Sequence, residues 1–269
     1  MRNLISTTVT SVHHWNDTLF SFKTTRAPTF TFESGQFVMM GLEVEGRPLL
    51  RAYSIASAHH EDELEFFSIK VPDGTLTSRL QNIAPGEQVM VSTRPTGTLV
   101  PGHLLPGKNL YLLATGTGLA PFMSIIRDPY IYDDFEKIIL VHGTRYVSEL
   151  AYQKEITETL PNNPYFGEEV SKKLIYYPSV TREHFQFNAL GGADVERDHT
   201  GRITDLLNSD SLTKNIKMPD LNPESDRLML CGNDAMLQDL MKILNERGFT
   251  KATSRHQGHY VIEQAFLEK

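Results

Sequence analysis

Apolar and polar residues alternate over short stretches in the first hundred residues, and glycines and prolines separate the stretches. This period of two, together with β-branched and aromatic residues, is typical of β-strands joined by turns. The dipeptides Asp73-Gly74 and Pro85-Gly86 predict two of these turns. The predicted strands are residues 19–23, 29–32, 36–40, 64–71 and 88–92. Several short strands at regular spacing favour an antiparallel β-barrel or sandwich.

The pattern changes in the second half, where apolar strands alternate with amphipathic helices. Strands are predicted at residues 110–114, 137–142, 174–177 and 227–231, and helices at 149–160, 203–207 and 235–247. Such alternation predicts a mainly parallel sheet with helices on both faces and ligands beyond the carboxyl ends of its strands. Glycines and prolines cluster at residues 95–107. The predicted domains are therefore residues 1–102, a β-barrel, and residues 107–269, an α/β domain.

A glycine turn follows the first strand of the second half, in the sequence YLLATGTGLAP at residues 111–121. Gly116, Thr117 and Gly118 lie between that strand and a helix predicted to begin near Leu119. Free N–H groups at such a turn suit a pyrophosphate, and glycines let the backbone approach it closely. Pro121 stands where a dinucleotide fingerprint has its third glycine, so an ordinary strand-to-helix turn remains an alternative.

Composition and charge exclude several classes of protein. A net charge of −7 gives no electrostatic footprint for nucleic acid, and one cysteine allows neither an internal disulfide nor an iron–sulfur cluster. The first residues have no apolar signal segment, and no apolar run is long enough to cross a membrane, so we expect a cytoplasmic protein. We predict no metal site, because the neighbouring pairs His13-His14 and His59-His60 are expected to point apart on strands.

Residues 47–57, RPLLRAYSIAS, contain a further candidate site. On a strand, Arg51 and Tyr53 share one face, while Ser54 opens to the other side. The guanidinium of Arg51 can pair with a phosphate, and the ring of Tyr53 can lie on a flat heterocycle. A surface arginine beside a core tyrosine is the alternative.

Four motifs occur in order along the chain: Arg51-Ala52-Tyr53-Ser54, the segment FSIKVPDGTLTS at residues 67–78, the glycine turn, and Cys231-Gly232-Asn233-Asp234. Together they resemble the ferredoxin–NADP(+) reductase family, and most closely its bacterial members. The resemblance implies an FAD-binding β-barrel followed by an NADP-binding α/β domain.

The resemblance also implies which residues bind FAD. Arg51 is expected to hold the pyrophosphate, Tyr53 to pack on the isoalloxazine, and Ser54 to lie near flavin N5. Residues 67–70 are expected to line the flavin, and the turn at 74–77 to offer N–H groups to the phosphates. The full set is Arg51, Ala52, Tyr53, Ser54, Phe67, Ser68, Ile69, Lys70, Gly74, Thr75, Leu76, Thr77, Thr117, Ala265 and Phe266.

Three arginines in the second half favour NADP over NAD. Arg145 and Arg182 follow predicted strands, and Arg202 follows Gly201. Arginines suit a 2′-phosphate, whereas an NAD site favours a carboxylate on the ribose, although solvated loop arginines are the alternative. The resemblance matches all three to residues that contact this phosphate. The implied NADP set is Gly116, Thr117, Gly118, Thr144, Arg145, Arg182, Arg202, Cys231, Gly232, Asn233 and Asp234.

Ser54, Cys231 and Glu263 are the predicted catalytic residues. By the resemblance, Cys231 lies beside the nicotinamide and Glu263 relays a proton or orients the ring; inert packing and a surface glutamate are the alternatives. Many family members end with an aromatic residue on the flavin, where this chain has Ala265. We expect Phe266 in the tail at residues 266–269 to pack on another part of FAD.

The predicted function is FAD-mediated electron exchange between NADPH and a one-electron carrier, ferredoxin or flavodoxin, by a monomer. An NAD(P)H-dependent flavin or quinone reductase on the same scaffold is one alternative. An electron-transfer subunit without turnover of its own, or a nucleotide sensor, is another.

Overall fold

The computed structural model describes residues 3–187 and 197–263. Contacts between residues divide this part of the chain into two compact units. The first comprises residues 3–100 and 120–128, and the second comprises residues 101–119, 129–187 and 197–263. The segment 120–128 thus groups with the first unit although it follows residue 107, and the linear domain ranges 1–102 and 107–269 stay predictions.

A six-stranded antiparallel sheet forms the first unit, in the order β4-β3-β6-β1-β2-β5. Its strands are β1 Leu4–His14, β2 Leu19–Thr25, β3 Phe37–Val44, β4 Arg47–Ser54, β5 Glu63–Ile69 and β6 Gln88–Ser92. Glu45 and Gly46 join β3 to β4, with φ of 51° and 74°. Two consecutive residues with positive φ make the tight hairpin turn that matches strand twist.

The sheet curls until its two edge strands approach each other, because Ile55, just after β4, bridges Phe66 of β5. Its interior is filled by large apolar side chains, among them Phe20, Phe22, Met40 and Phe66. The predicted strand at residues 29–32 was wrong: these residues are irregular, and their alternation arises because Phe30 and Phe32 both point into this core. The first strand, β1, was missed because a register shift between Val9 and Ser11 breaks the period of two: Ile5 and Val9 face the core before it, and Val12 after it.

Two short helices complete the first unit, α1 Thr77–Leu80 and α2 Ala120–Ile126. Arg127, directly after α2, forms a buried ion pair with Glu65 of β5, with 2.8 Å between Nη1 and Oε2. Its Nη1 also donates to the carbonyl of Ala56 at 2.8 Å, and the hydroxyl of Ser124 donates to the carbonyl of Ser57 at 2.7 Å. These contacts attach α2 to the curled sheet.

A parallel five-stranded sheet in the order β13-β12-β7-β8-β9 forms the second unit. The strands of this unit are β7 Asn109–Thr115, β8 Lys137–Thr144, β9 Leu174–Val180, the short antiparallel pair β10 Gln186–Phe187 and β11 Arg197–Asp198, β12 Asp226–Cys231 and β13 Tyr260–Ile262. Its α-helices are α3 Ile131–Asp134, α4 Gly167–Lys173, α5 Ile203–Asn208, α6 Ser211–Asn215 and α7 Asp234–Glu246. The predicted combination of an antiparallel β-unit with a parallel α/β unit is confirmed.

The predicted helix at residues 149–160 is present only in its second part: residues 153–162 are helical, whereas residues 150–152 are not. This region contains the 3₁₀ turn Val147–Glu149, the π-helical segment Glu155–Thr159 and the 3₁₀ turn Leu160–Asn162. Tyr152 has a φ of 63°, in the left-handed region, which interrupts a right-handed helix. The apolar spacing at the start of this region resembles that of a helix because the buried side chains of Ala151 and Tyr152 reach the core from a turn, just before the helical Ile156.

Helix α7 follows its sequence prediction within one residue at each end. The side chain of Asn233 caps it by accepting from the N–H of Met236 at 2.9 Å, and Gly248, with a φ of 86°, follows its end. Both are standard helix boundaries. Within residues 3–187 and 197–263, no helix combines the length and apolar character that a membrane crossing needs.

Candidate functional site

The predicted flavin motif lies on β4, at the end that pairs with the start of β3. Arg51 is exposed, and its Nη2 donates to the hydroxyl of Thr75 at 3.2 Å. Its Nη1 donates to the carbonyl of Leu50 at 2.8 Å. These bonds hold the guanidinium beside the turn that the sequence predicts to bind phosphate. The structure therefore brings together two motifs that are separated by 24 residues.

Tyr53 is buried in the core of the curled sheet, where its ring meets that of Phe66 edge-on with the centroids 6.4 Å apart. Its hydroxyl lies 3.2 Å from the hydroxyl of Ser68 on β5. Burial raises the pKa of this phenol, so it stays neutral. Arg51 and Tyr53 share a face of β4, as predicted, with the tyrosine fixed by both packing and a hydrogen bond.

Ser54 carries a polar group that the protein itself does not satisfy. The residue is only 3% exposed, and its hydroxyl has no hydrogen-bond partner among the described residues. Leaving such a buried group without a partner costs about 1–3 kcal/mol. A ligand atom that hydrogen-bonds here would remove that cost, so this hydroxyl fits a polar heterocycle such as the flavin ring.

The turn after β5 has the form expected of an anion-binding turn. In the described chain, the backbone N–H groups of Thr75, Leu76 and Thr77 donate to no backbone carbonyl. A Cβ at Gly74 would overlap the hydroxyl oxygen of Thr77, so a larger residue there would displace that side chain from the turn. Consecutive free N–H groups beside a guanidinium make a concave site that attracts phosphate.

Residues 67–70 present mixed surfaces. Phe67 and Ser68 are buried, whereas Ile69 is exposed. The ammonium of Lys70 donates to the carbonyl of Asn16 at 2.8 Å. The lysine is thus held against the loop between β1 and β2.

In the second unit, the glycine turn after β7 meets the turn after β12. A Cβ at Gly118 would overlap the carbonyl of Cys231, and one at Gly232 would overlap the hydroxyl of Thr115. The Thr115 hydroxyl accepts from the backbone N–H of Asn233 at 3.2 Å and from its Nδ2 at 3.3 Å. Gly116 has a φ of 53°. Glycine is required at Gly118 because its backbone touches that of Cys231, and glycine at Gly116 adopts the left-handed conformation without strain.

Cys231 ends β12, and Glu263 directly follows the neighbouring strand β13, where its N–H donates to the carbonyl of Leu230 at 3.0 Å. Both side chains are buried, Glu263 being only 2% exposed, so the alternative of a surface glutamate is wrong. Burial, and secondarily the charge of Glu263, raises the pKa of the Cys231 thiol. A neutral thiol is a poor nucleophile, which favours a packing role.

Backbone hydrogen bonds bring the three predicted arginines to one edge of the parallel sheet. Arg145 follows β8, and its carbonyl accepts from the N–H of Arg182 at 2.9 Å. The N–H of Gly201, next to Arg202, donates to the carbonyl of Val180 at the end of β9, at 2.8 Å. All three arginines are exposed there. Three guanidinium groups at this edge suit an anion with several oxygens.

Two further residues of this edge escaped sequence reasoning. Glu149 forms an ion pair with the Arg145 guanidinium. The only indication of this pair in the sequence is that the two residues are four positions apart. His142 is fully buried, with Nε2 3.2 Å from the carbonyl of Gly116, and burial lowers its pKa to about 4. Its signal was a histidine inside an otherwise apolar strand. The neutral ring supports the glycine turn by donating from Nε2.

Among the other predicted residues, Thr144 is buried and its hydroxyl donates to the carbonyl of Tyr146 at 2.9 Å, while Thr117 is half-buried. Ala265, Phe266 and the tail at residues 266–269 lie outside the described residues.

The expectation that His59 and His60 occupy a strand was wrong: they lie in the turn between β4 and β5.

Comparison with known proteins identifies the two halves of the chain. The oxidoreductase FAD-binding domain matches residues 5–100, and the oxidoreductase NAD-binding domain matches residues 112–242. The ferredoxin–NADP reductases of Azotobacter vinelandii and Pseudomonas aeruginosa are each 57% identical over 271 residues, which covers 100% of both chains. The flavodoxin/ferredoxin–NADP reductase of Escherichia coli is 36% identical over 239 residues, 89% of each chain.

A crystal structure of a ferredoxin NADP+ reductase from Neisseria gonorrhoeae with bound FAD and NADP has the same fold, with a TM-score of 0.84 at 28% identity. The alignment covers 97% of this chain and 98% of that one. The predicted family, the oxidoreductase class and the pairing of a flavin-binding with a nucleotide-binding half are confirmed. The chain belongs to the ferredoxin–NADP reductase family.

Proposed function

We propose that this protein is an FAD-dependent ferredoxin/flavodoxin–NADP(+) reductase, exchanging electrons between NADPH and a one-electron carrier protein. Bound FAD supplies the exchange between two-electron hydride chemistry and the one-electron chemistry of a carrier. The observation that carries the proposal is the buried, unsatisfied hydroxyl of Ser54, on the strand whose Arg51 reaches the phosphate-binding turn.

The residues of β4 and of the turn after β5 would hold FAD. Arg51 and the free N–H groups of residues 75–77 bind its pyrophosphate, since they present a cation and several donors to one place. Tyr53 fixes the flavin ring with its rigid aromatic face, and the Ser54 hydroxyl donates near flavin N5. Thr117, Ala265 and Phe266 complete the FAD set on the strength of the family resemblance.

The carboxyl edge of the parallel sheet would hold NADP(H). Gly116, Gly118 and Gly232 let the backbone approach the dinucleotide, and Thr144, Asn233 and Asp234 line the same edge. Arg145, Arg182 and Arg202 bind the 2′-phosphate, which NADH lacks. This arginine set is the basis for the proposed preference for NADPH.

Cys231 and Glu263 would act beside the nicotinamide. The thiol stays protonated because burial raises its pKa, so it serves as a small packing surface rather than a nucleophile. Glu263 is a buried carboxylate directly after the adjacent strand β13, suited to hold a proton or to orient the carboxamide of the ring.

Anaerobic stopped-flow reduction of the purified FAD-loaded protein tests this function, with NADPH and NADH compared at the flavin absorbance band. We expect fast bleaching with NADPH and slow bleaching with NADH. Comparable bleaching with NADH would contradict the arginine assignment and favour an NAD(P)H-dependent flavin or quinone reductase. Absence of a flavin band after reconstitution with FAD would overturn the proposal.

The carrier is proposed to be ferredoxin, flavodoxin or both, bound transiently to a cytoplasmic monomer. Turnover of NADPH with each carrier in turn, followed by cytochrome c reduction, tests this part. Fast reduction through a carrier and slow reduction without it would support an autonomous reductase. Equal rates with and without the carrier would contradict it.

A further inference from the structure

Three potential metal ligands come together in the first unit, and none belongs to the proposed FAD or NADP sets. His59 and His60 lie in the turn between β4 and β5, and Asp128 follows α2. One ligand atom from each lies within 4.8 Å of the other two. Across residues 3–187 and 197–263, this is the only group of three or more His, Cys, Asp or Glu residues with that spacing.

The core of the cluster is a hydrogen-bonded arrangement of His59 and Asp128 with Ser34. His59 Nδ1 lies 2.9 Å from Asp128 Oδ2, and the Ser34 hydroxyl donates to the same oxygen at 3.0 Å. The backbone N–H of His59 donates to the Ser34 hydroxyl at 3.2 Å. A carboxylate that is already aimed by a second group is typical of the support that orients metal ligands.

The turn that carries both histidines is held rigidly. The Ala58 N–H donates to Glu61 Oε1 at 3.0 Å, and the Glu61 N–H donates to the Ala58 carbonyl at 3.1 Å. Arg26 donates through Nη1 to the carbonyls of His59 and Glu61, at 2.7 Å and 2.6 Å. The two histidine backbones are therefore fixed before any ligand binds.

Asp128 is held from the other side of the cluster. Its N–H donates to the carbonyl of Ile125 in α2 at 3.1 Å. The preceding residue, Arg127, is anchored by its buried ion pair with Glu65. The carboxylate and the turn thus come from two separately fixed segments, 69 residues apart in sequence.

We propose that His59, His60 and Asp128 bind one divalent transition-metal ion of the zinc class. Two imidazoles and a carboxylate are suitable ligands for Zn²⁺, and a three-residue set leaves the fourth tetrahedral position to water. Ligands at zinc distances lie roughly 3.4 Å apart, so the side chains must close by about an ångström. The side chain of His60 is exposed, so few neighbouring atoms oppose that closure.

The site is open to an ion from solvent. The side chain of His59 is 34% exposed and that of Asp128 is 15% exposed. The rings of His59 and His60 are 5.5 Å apart between centroids and inclined at 80°. The histidines therefore do not point to opposite faces, as they would on a strand.

Isothermal titration of the untagged, FAD-loaded protein with ZnCl₂ tests the proposal. We expect one equivalent to bind per chain, and binding to weaken at least about tenfold in His60→Gln and in Asp128→Asn, since each removes one of three ligands. His13→Gln is the matched control, because His13 also belongs to an exposed pair of neighbouring histidines, on β1. We expect this variant to bind Zn²⁺ as tightly as the unaltered protein.

Co²⁺ in place of Zn²⁺ provides a second readout, because tetrahedral Co²⁺ with nitrogen and oxygen ligands has intense visible bands. We expect these bands in the unaltered protein and in His13→Gln, and their loss in His60→Gln. Absence of saturable binding at one equivalent, or binding unaffected by His60→Gln, would overturn the proposal and leave an ordinary His59–Asp128 hydrogen bond. NADPH-dependent flavin reduction in His60→Gln is expected to stay normal, so this test is independent of the proposed function.

Discussion

Arg145 and Glu149 form a two-point ion pair at the carboxyl edge of the parallel sheet. Arg145 Nη2 lies 2.7 Å from Glu149 Oε1, and Nε lies 3.4 Å from Oε2. Burial acts to raise the pKa of Glu149, but hydrogen bonds from Arg145 outweigh it and hold that pKa below its usual value. An ionised carboxylate therefore lies on the guanidinium that we propose for the 2′-phosphate.

Replacing this carboxylate should strengthen NADP⁺ binding. In Glu149→Gln we expect NADP⁺ to bind about threefold more tightly, because a negative charge no longer competes with the phosphate; this corresponds to ~0.7 kcal/mol, the size of an exposed ion pair. Calorimetric titration measures the change, and NAD⁺, which lacks the phosphate, is the control ligand. Weaker NADP⁺ binding would show that Glu149 instead positions Arg145 for the ligand.

Removing the arginine should reduce the preference for NADPH. We expect Arg145→Ala to lower kcat/KM for NADPH about 10- to 100-fold, because hydrogen bonds to a charged group contribute about 1.5–3 kcal/mol. Activity with NADH should change little. Arg255→Ala, an exposed arginine outside the proposed set, is the matched control. An equal loss with both nucleotides would indicate a structural rather than a phosphate-binding role.

Ser54→Ala tests the unsatisfied hydroxyl. We expect flavin reduction by NADPH to slow about tenfold while FAD is retained, since one hydrogen bond to the flavin is lost, at ~1.4 kcal/mol. Stopped-flow absorbance gives the rate, and the flavin-to-protein ratio gives retention. Ser6→Ala on β1 is the control, because that exposed serine already bonds to Gln88. An unchanged rate would remove Ser54 from the site.

Buried His142 should make stability depend on pH. Its folded-state pKa of about 4 is below the value near 6.5 of an unfolded histidine, so the unfolded chain binds more protons between these values. The stability contributed by its neutral form is present above pH ~6.5 and is lost as pH falls towards 4, by about 3 kcal/mol.

Urea unfolding at pH 4.5 to 7.5 measures this effect, and His142→Gln should flatten the dependence because glutamine does not titrate in this range. His256→Gln, at an exposed loop position, should leave the dependence unchanged. If His142→Gln keeps the full pH slope, the group responsible lies elsewhere.

The buried ion pair below α2 should be important for stability. In Arg127→Met we expect a loss of about 3–5 kcal/mol, because the buried carboxylate of Glu65 loses the guanidinium with which it pairs. Lys154→Met, which breaks the exposed pair with Glu158, should cost less than about 1 kcal/mol. Denaturant unfolding compares the two, and equal losses would contradict the assigned difference in burial.

Sequence patterns were sufficient to predict a strand or helix where the local apolar spacing agrees with the tertiary packing. The period-two stretches found most strands of the curled sheet, and the helical spacing and cap found α7 within one residue. Motif order identified the family. The same reasoning failed at residues 29–32 and at the start of the helix predicted at 149–160, because apolar side chains there reach the core from irregular backbone. The spacing of apolar residues indicates which side chains are buried. Several backbone conformations can bury the same side chains, so the spacing alone does not distinguish between them.

The sequence by itself determined the two kinds of sheet, the glycine turn and the identity of most proposed cofactor residues. Only the tertiary structure placed Arg51 beside Thr75 and Gly118 against Cys231, and it alone grouped His59 with Asp128. These contacts join residues that are from 24 to more than 100 positions apart. Their partners are chosen by how strands pair and helices dock, and those long-range contacts leave no periodic signal in the chain.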